Sequence, residues 1–238
     1  MSDAENKHEQ RLAWVQDGTA RLQADLARLA DADLNAPSLL PGWTRRHLLA
    51  HVAANADALC RLAYWARTGE ERRMYSSAQQ RNAEIEVGAV RPAAEIRNWI
   101  TDSAAQLADD LGRLTDDTWQ AMVVTAQGRT VPATEIPWLR AREVWVHAAD
   151  LGAGTTFGDM PPEFLTELLD DVAARRAAQG TGPALSLTAT DTGGTWHVAG
   201  TGEAYAVEAP RIVLGKWLTG RSAAGLRGAE LPDLPPWL

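Results

Sequence analysis

The sequence predicts a two-domain protein of mixed class: a four-helix bundle over residues 1–156, then a small α/β domain with an antiparallel sheet over 157–238. Three observations carry this. Apolar residues recur at helical spacing in four long segments of the first two thirds. The pattern changes after Gly158-Asp159-Met160-Pro161-Pro162, which puts the boundary near residues 154–162. Beyond it, three short alternating runs are separated by glycine-rich turns.

The first helix runs from His8 to about Ala30, with Leu12, Val15, Leu22, Leu26 and Leu29 as its apolar positions. Pro41-Gly42-Trp43-Thr44 then interrupts the chain, and Thr44 is a suitable N-cap for a second helix reaching about Arg67. A third helix extends from about Pro92, a residue tolerated in a first turn, to Leu114. Thr125 to Pro132 is a loop or short hairpin, and Thr134 is placed to cap a fourth helix ending near Gly152. Four long amphipathic helices suggest a bundle. A fifth helix, Glu163 to about Gln179, opens the second domain. The runs Leu185–Thr190, Thr195–Ala199 and Ala204–Glu208 read as its strands, Ile212 to Leu218 as a short helix closed by Gly220, and Pro232 to Leu238 as an extended tail.

Composition bounds the function. With 45% hydrophobic and 23% charged residues in 238, the chain is of ordinary globular make-up. A net charge of −8 argues against nucleic acid as a partner, though not against a small anionic substrate met by a local cation. No apolar run approaches membrane-spanning length, the N-terminus has no apolar signal core, and Cys60 is the only cysteine. A cytoplasmic location without membrane attachment is expected. Ten tryptophans against two phenylalanines carry no functional implication by themselves.

The most informative stretch is Arg142-Glu143-Val144-Trp145-Val146-His147-Ala148-Ala149-Asp150. At roughly 100° per residue, Glu143 and His147 lie within about 40° of each other on a helix. Ile136, Leu139, Val146 and Asp150 share that arc, while Trp138 and Trp145 point elsewhere. Aiming Glu, His and Asp into a core costs several kcal/mol unless a cation, a proton or a metal meets them. The second helix offers two histidines. Relative to its stripe of Leu48, Val52, Leu59 and Leu62, His51 sits about 60° from the centre and His47 about 100°. His51 therefore borders the core, and His47, beside Arg45 and Arg46, sits near solvent. Cys60 is on the opposite flank and is not a ligand candidate.

His51, Glu143 and His147 make a two-histidine, one-carboxylate set from facing helices, suited to Zn²⁺ with an open position. Asp150, one turn beyond His147, is placed to orient a ligand. The competing readings are satisfied core histidines and a Glu143 neutralised by Arg142 or Arg140. Ferrous iron uses the same donor set, so the donors alone leave the metal open.

These residues resemble the mycothiol-dependent maleylpyruvate isomerases. The matching segments are Leu40-Pro41-Gly42-Trp43-Thr44 with His47-Leu48 and His51-Val52-Ala53, then Arg81-Asn82, then Thr125 to Ala133. Arg142-Glu143-Val144-Trp145 with His147, Asp150-Leu151-Gly152, Gly220-Arg221 and Pro235-Pro236-Trp237-Leu238 complete the set. The resemblance spans nearly the whole chain and is weakest between residues 180 and 210. It implies a DinB-like bundle joined to a sterol-carrier-like domain, with zinc held by His51, Glu143 and His147 and mycothiol as the thiol cofactor. It also implies that Arg221 acts on the substrate from the second domain. On that reading the mycothiol thiolate adds to the cis double bond of maleylpyruvate, the bond turns, and elimination returns the thiol and leaves fumarylpyruvate. The site is then expected between the domains, with Asn55, Arg81, Asn82 and Gln127 as polar candidates for its lining. The residues that bind mycothiol are not identified by the sequence. Two other functions remain open here: a mycothiol S-transferase that releases a conjugate, and a non-enzymatic carrier of an apolar ligand.

Overall fold

A computed structural model describes residues 3–226 and 231–236. Trp237 and Leu238 of the expected extended tail lie outside the described residues. The chain divides into two compact units, Met1–Thr155 and Thr156–Leu238.

In the first unit α1 spans Asp3–Arg28, α2 Arg45–Thr68, α3 Ala78–Ala89, α4 Ala93–Gly112, the single-turn α5 Asp116–Trp119 and α6 Ile136–Leu151. The four long helices pack with α1 against α6, and with α2 against both α4 and α6. Between α5 and α6, β1 (Met122–Val124) and β2 (Thr130–Pro132) form an antiparallel hairpin over residues 122–132, its first strand lying before the expected Thr125–Pro132 segment.

Three local features differ from expectation. Helix α3 is an additional element laid on α2. It is capped by Ser77, whose hydroxyl accepts from the Gln80 amide, and it buries only Ile85, Gly88 and Ala89. That apolar stripe is too sparse to announce a helix in the sequence. Thr134 does not cap α6: it lies within a 3₁₀ turn, Ala133–Glu135, that runs directly into the helix. Finally, α6 has no polar face, because all sixteen of its residues are buried. The tryptophans that point away from Glu143 meet another helix rather than water. Trp145 Nε1 donates to the Trp14 carbonyl at 3.0 Å, and the Trp138 ring meets the Trp14 ring edge-on.

Helix α2 is capped as its sequence suggests, with the Thr44 hydroxyl accepting from the His47 amide and Gly69 closing it in a left-handed conformation. Leu48, Leu49, Val52, Leu59 and Leu62 are fully buried, and so are Ala50, Ala53, Ala56 and Ala58. This run of alanines lets neighbouring helices approach α2 closely.

In the second unit α7 (Pro162–Gln179) precedes β3 (Pro183–Ala189), β4 (Thr195–Val198), β5 (Thr201–Ala209) and α8 (Arg211–Leu218). The sheet order is β4-β3-β5. The β3–β4 pair is antiparallel, but β5 runs parallel to β3, so the sheet is mixed rather than antiparallel throughout. The reason lies in the two residues joining β4 to β5. Instead of folding back beside β4, the chain passes the start of β3, and the Thr201 amide donates to the Gly182 carbonyl at 2.9 Å. A side chain at Gly200 would come within 2.4 Å of the Pro183 carbonyl carbon, so the crossing requires glycine there. Leu185, Leu187, Ala189, Trp196, Val198, Val207 and Ala209 form the buried face of this sheet.

A candidate metal centre in the bundle

The core of the first unit contains one cluster of metal-ligating side chains among the described residues, formed by His51 from α2 with Glu143 and His147 from α6. One donor atom from each lies within 4.8 Å of the others. All three residues are buried, with exposures of 5, 8 and 7%. Glu143 Oε2 is the shared point: His51 Nε2 stands 2.9 Å from it and His147 Nε2 3.3 Å. The imidazole rings are almost perpendicular, with centroids 4.9 Å apart.

Each group is held from behind. His147 Nδ1 lies 2.9 Å from Asp150 Oδ2, and Asp150 is 1% exposed. Carboxylates only accept, so Nδ1 carries the hydrogen and Nε2 is the nitrogen turned to the centre. Arg142 Nη2 stands 3.8 Å from Glu143 Oε1. Arg140, fully buried, donates to the Val52 carbonyl at 2.7 Å and to Asn55 Oδ1 at 3.0 Å. This cation therefore ties α2, within a turn after His51, to α6, one turn before Glu143. The Trp43 ring meets His51 edge-on at 5.5 Å. It is presented by the turn at Gly42, whose φ of 81° belongs to glycine.

The electrostatics follow from burial and these contacts. Burial alone raises the Glu143 carboxyl, but hydrogen bonds from His147 and His51 outweigh it and hold the group well below the usual carboxylate range. His147 is raised, because Asp150 and Glu143 overcome the cost of burying its cation. His51 is lowered, since burial dominates over its bond to Glu143. Arg140 is pushed down by burial to about 10 and remains a cation at neutral pH.

The site thus brings a carboxylate held in its ionised form together with two imidazoles whose Nε2 atoms both face Glu143 Oε2. Three convergent donors and an oriented second carboxylate make a set that fits Zn²⁺ with an open position.

The other sequence candidates are dispersed. His47 is used by the helix cap: its Nδ1 is 2.7 Å from the Thr44 hydroxyl, and its Nε2 faces Glu86 at 3.5 Å. Arg81 does reach the centre, with Nη2 3.3 Å from His51 Nδ1. Asn55 serves Arg140, Asn82 is exposed beside Arg81, and Gln127 is exposed in the hairpin turn. Arg221 follows α8 in the second unit, where Gly220 and Arg221 donate their amides to the Trp217 and Lys216 carbonyls. That paired closure of a helix end presents Arg221 immediately beyond it. In the sequence Trp43 is read only as part of a matching turn and Arg140 only as a rival partner for Glu143. Their contacts, the Trp43 ring on His51 and Arg140 on Val52 and Asn55 of α2, come from the packing of the helices.

Residues 15–152 match the profile of the mycothiol maleylpyruvate isomerase N-terminal domain. Over 100% of both chains, the structure superposes with a TM-score of 0.94 and 38% identity on a crystal structure of the mycothiol-dependent maleylpyruvate isomerase. The chain belongs to this isomerase family.

A variant of that enzyme, with one histidine replaced by alanine, matches this isomerase equally well. YfiT from Bacillus subtilis, described as a probable metal-dependent hydrolase with an unusual four-helix bundle topology, aligns at a TM-score of 0.53 and 14% identity. The alignment covers 64% of this chain and 86% of YfiT, and that likeness bears on the fold alone. No curated protein sequence matches the isomerase. Among the described residues, no helix is long and apolar enough to cross a membrane.

Proposed function

We propose that this isomerase converts maleylpyruvate to fumarylpyruvate with mycothiol as the thiol cofactor and zinc as the metal. The observation that carries the reading is the buried convergence of His51, Glu143 and His147, in a chain that matches a mycothiol-dependent maleylpyruvate isomerase along its full length. When bound, the metal supplies a positive charge that favours the thiolate over the thiol, which is the nucleophilic form.

The chain's own residues do the rest. His51 and His147 present Nε2 and Glu143 presents its carboxylate as the three ligands. Asp150 fixes the His147 ring and its tautomer, so that Nε2 offers a lone pair. Arg142 stands beside the Glu143 carboxylate, and Arg140 holds the two helices in register. Arg221 receives a substrate carboxylate or the enolate charge that develops when the thiolate adds to the double bond, through the two-point geometry of a guanidinium. Addition makes the carbon–carbon bond single; rotation and elimination restore the thiol, and no net redox change occurs.

The deciding experiment is an isomerase assay of zinc-loaded protein with and without mycothiol. The expected result is loss of the cis substrate without consumption of thiol, dependent on mycothiol. Accumulation of a stable thioether would make the protein a transferase instead. Arg221→Ala is expected to keep the metal and lose most turnover, and unchanged kinetics would remove Arg221 from the mechanism.

A further inference from the structure

Arg81 stands on the first turn of α3, half-buried, with Nη2 3.3 Å from Nδ1 of His51. A guanidinium has donors only, so Nδ1 is the acceptor in this pair. The hydrogen of the neutral His51 ring then sits on Nε2 and is donated to Glu143 Oε2 at 2.9 Å. This arrangement and metal ligation exclude each other. A cation on Nε2 takes the lone pair of that nitrogen, and the neutral ring then carries its hydrogen on Nδ1. Two N–H groups would face one another, so loading the centre breaks the Arg81–His51 bond.

Little else holds the guanidinium. Its remaining hydrogen bond is to Asn82 Oδ1, exposed and 3.3 Å long, and among the described residues no carboxylate pairs with it. The acidic neighbours on α3 are turned elsewhere: Glu84 faces Arg61 and Gln80, and Glu86 faces His47. A half-buried cation released at the edge of the centre, with no anion of its own, is a receptor for one.

We propose that Arg81 is an anion-binding arm of the centre, placed beside His51 Nδ1 and turned, where a metal takes His51 Nε2, to a carboxylate of the substrate. This rests on the reading above that His51, Glu143 and His147 bind a divalent metal and that the substrate is a dicarboxylate. It gives the bundle a carboxylate anchor separate from Arg221.

The test uses full-length R81Q and R81K. Zinc affinity of the metal-free proteins is read by competition with a chromophoric chelator, and steady-state kinetics are read at saturating zinc and mycothiol. R81Q is expected to bind zinc about 3- to 10-fold tighter, because one competing hydrogen bond and one adjacent like charge are gone. Its KM for maleylpyruvate is expected to rise at least about tenfold, with kcat changed far less, the signature of lost uniform binding. R81K, which keeps the charge without the fork, should fall between R81Q and wild type in KM. An R81Q protein with unaltered or weaker zinc affinity, or with unaltered KM, overturns the proposal. The two readings fail separately. If wild-type protein takes up no zinc, or His51→Ala binds it as well as wild type, the metal centre itself is wrong. If wild-type binding depends on His51 and R81Q still changes nothing, only the role of Arg81 is lost.

Discussion

Asp150→Asn is the substitution that most directly tests how the centre is built. Asp150 is 1% exposed, and its Oδ2 lies 2.9 Å from His147 Nδ1. Hydrogen bonds to a charged group contribute ~1.5–3 kcal/mol and neutral ones ~0.5–1.5, so the amide forfeits roughly 1–2 kcal/mol. It can also turn its NH₂ toward Nδ1, which favours the opposite tautomer and places a hydrogen on the ligand nitrogen. Both effects predict zinc binding about 10- to 100-fold weaker, the usual consequence of removing the partner behind a metal-bound histidine. The comparison belongs at pH values where affinity no longer changes with pH, since protons compete for His147 below its raised pKa. In that lower range, affinity should rise about tenfold per pH unit as one proton is displaced. It should level off above the His147 pKa. His51, whose pKa is lowered, adds no competing proton near neutrality. Without the Asp150 charge the His147 pKa falls, so the levelling-off point should move to lower pH. Zinc affinity within twofold of wild type, together with an unmoved break, would refute this account of the second carboxylate.

Two further predictions concern the body of the bundle. Gly18 sits where α1 meets α6, and a Cβ there would stand 2.6 Å from Val144 Cγ2 and 2.8 Å from Trp145 Cδ1. Overpacking costs ~1–3 kcal/mol and the helix propensity of alanine returns about 1, so Gly18→Ala should lose up to ~2 kcal/mol. Thermal unfolding should register a fall of several degrees, and an increase would mean that α1 and α6 are not so closely apposed. The Cys60 thiol is pushed up to about 12 by burial and by Asp110, so it is neutral at physiological pH. It should react with a disulfide reagent at least about a hundredfold more slowly in the folded protein than after denaturation. Rapid labelling of the native chain would contradict this environment.

What the sequence made legible follows from which physical signal reports each feature. Helical periodicity separates His51 from His47 on α2 because four residues change a side chain's direction by about 40°. The same arithmetic sets Glu143 beside His147, and the structure places these three side chains around one carboxylate oxygen. Periodicity cannot report what covers the remaining faces. On α6 it singles out an inward arc, whereas the helix is buried all round, with Trp138 and Trp145 packed toward α1. The parallel β5 is hidden for a similar reason: its alternation is that of any strand, and only the close passage of Gly200 past Pro183 decides which side of β3 it joins. Arg81 is the instructive case for the site. In sequence it is one polar residue in a segment with little apolar pattern, and nothing in its spacing connects it to His51, thirty positions earlier. Only once α3 is laid on α2 does its guanidinium face Nδ1. The resulting pair of exclusive states, hydrogen-bonded or metal-loaded, follows from donors and acceptors rather than from any motif. Ligand sets carried on helices can be read from periodicity, whereas the groups that govern those ligands depend on how the helices are stacked.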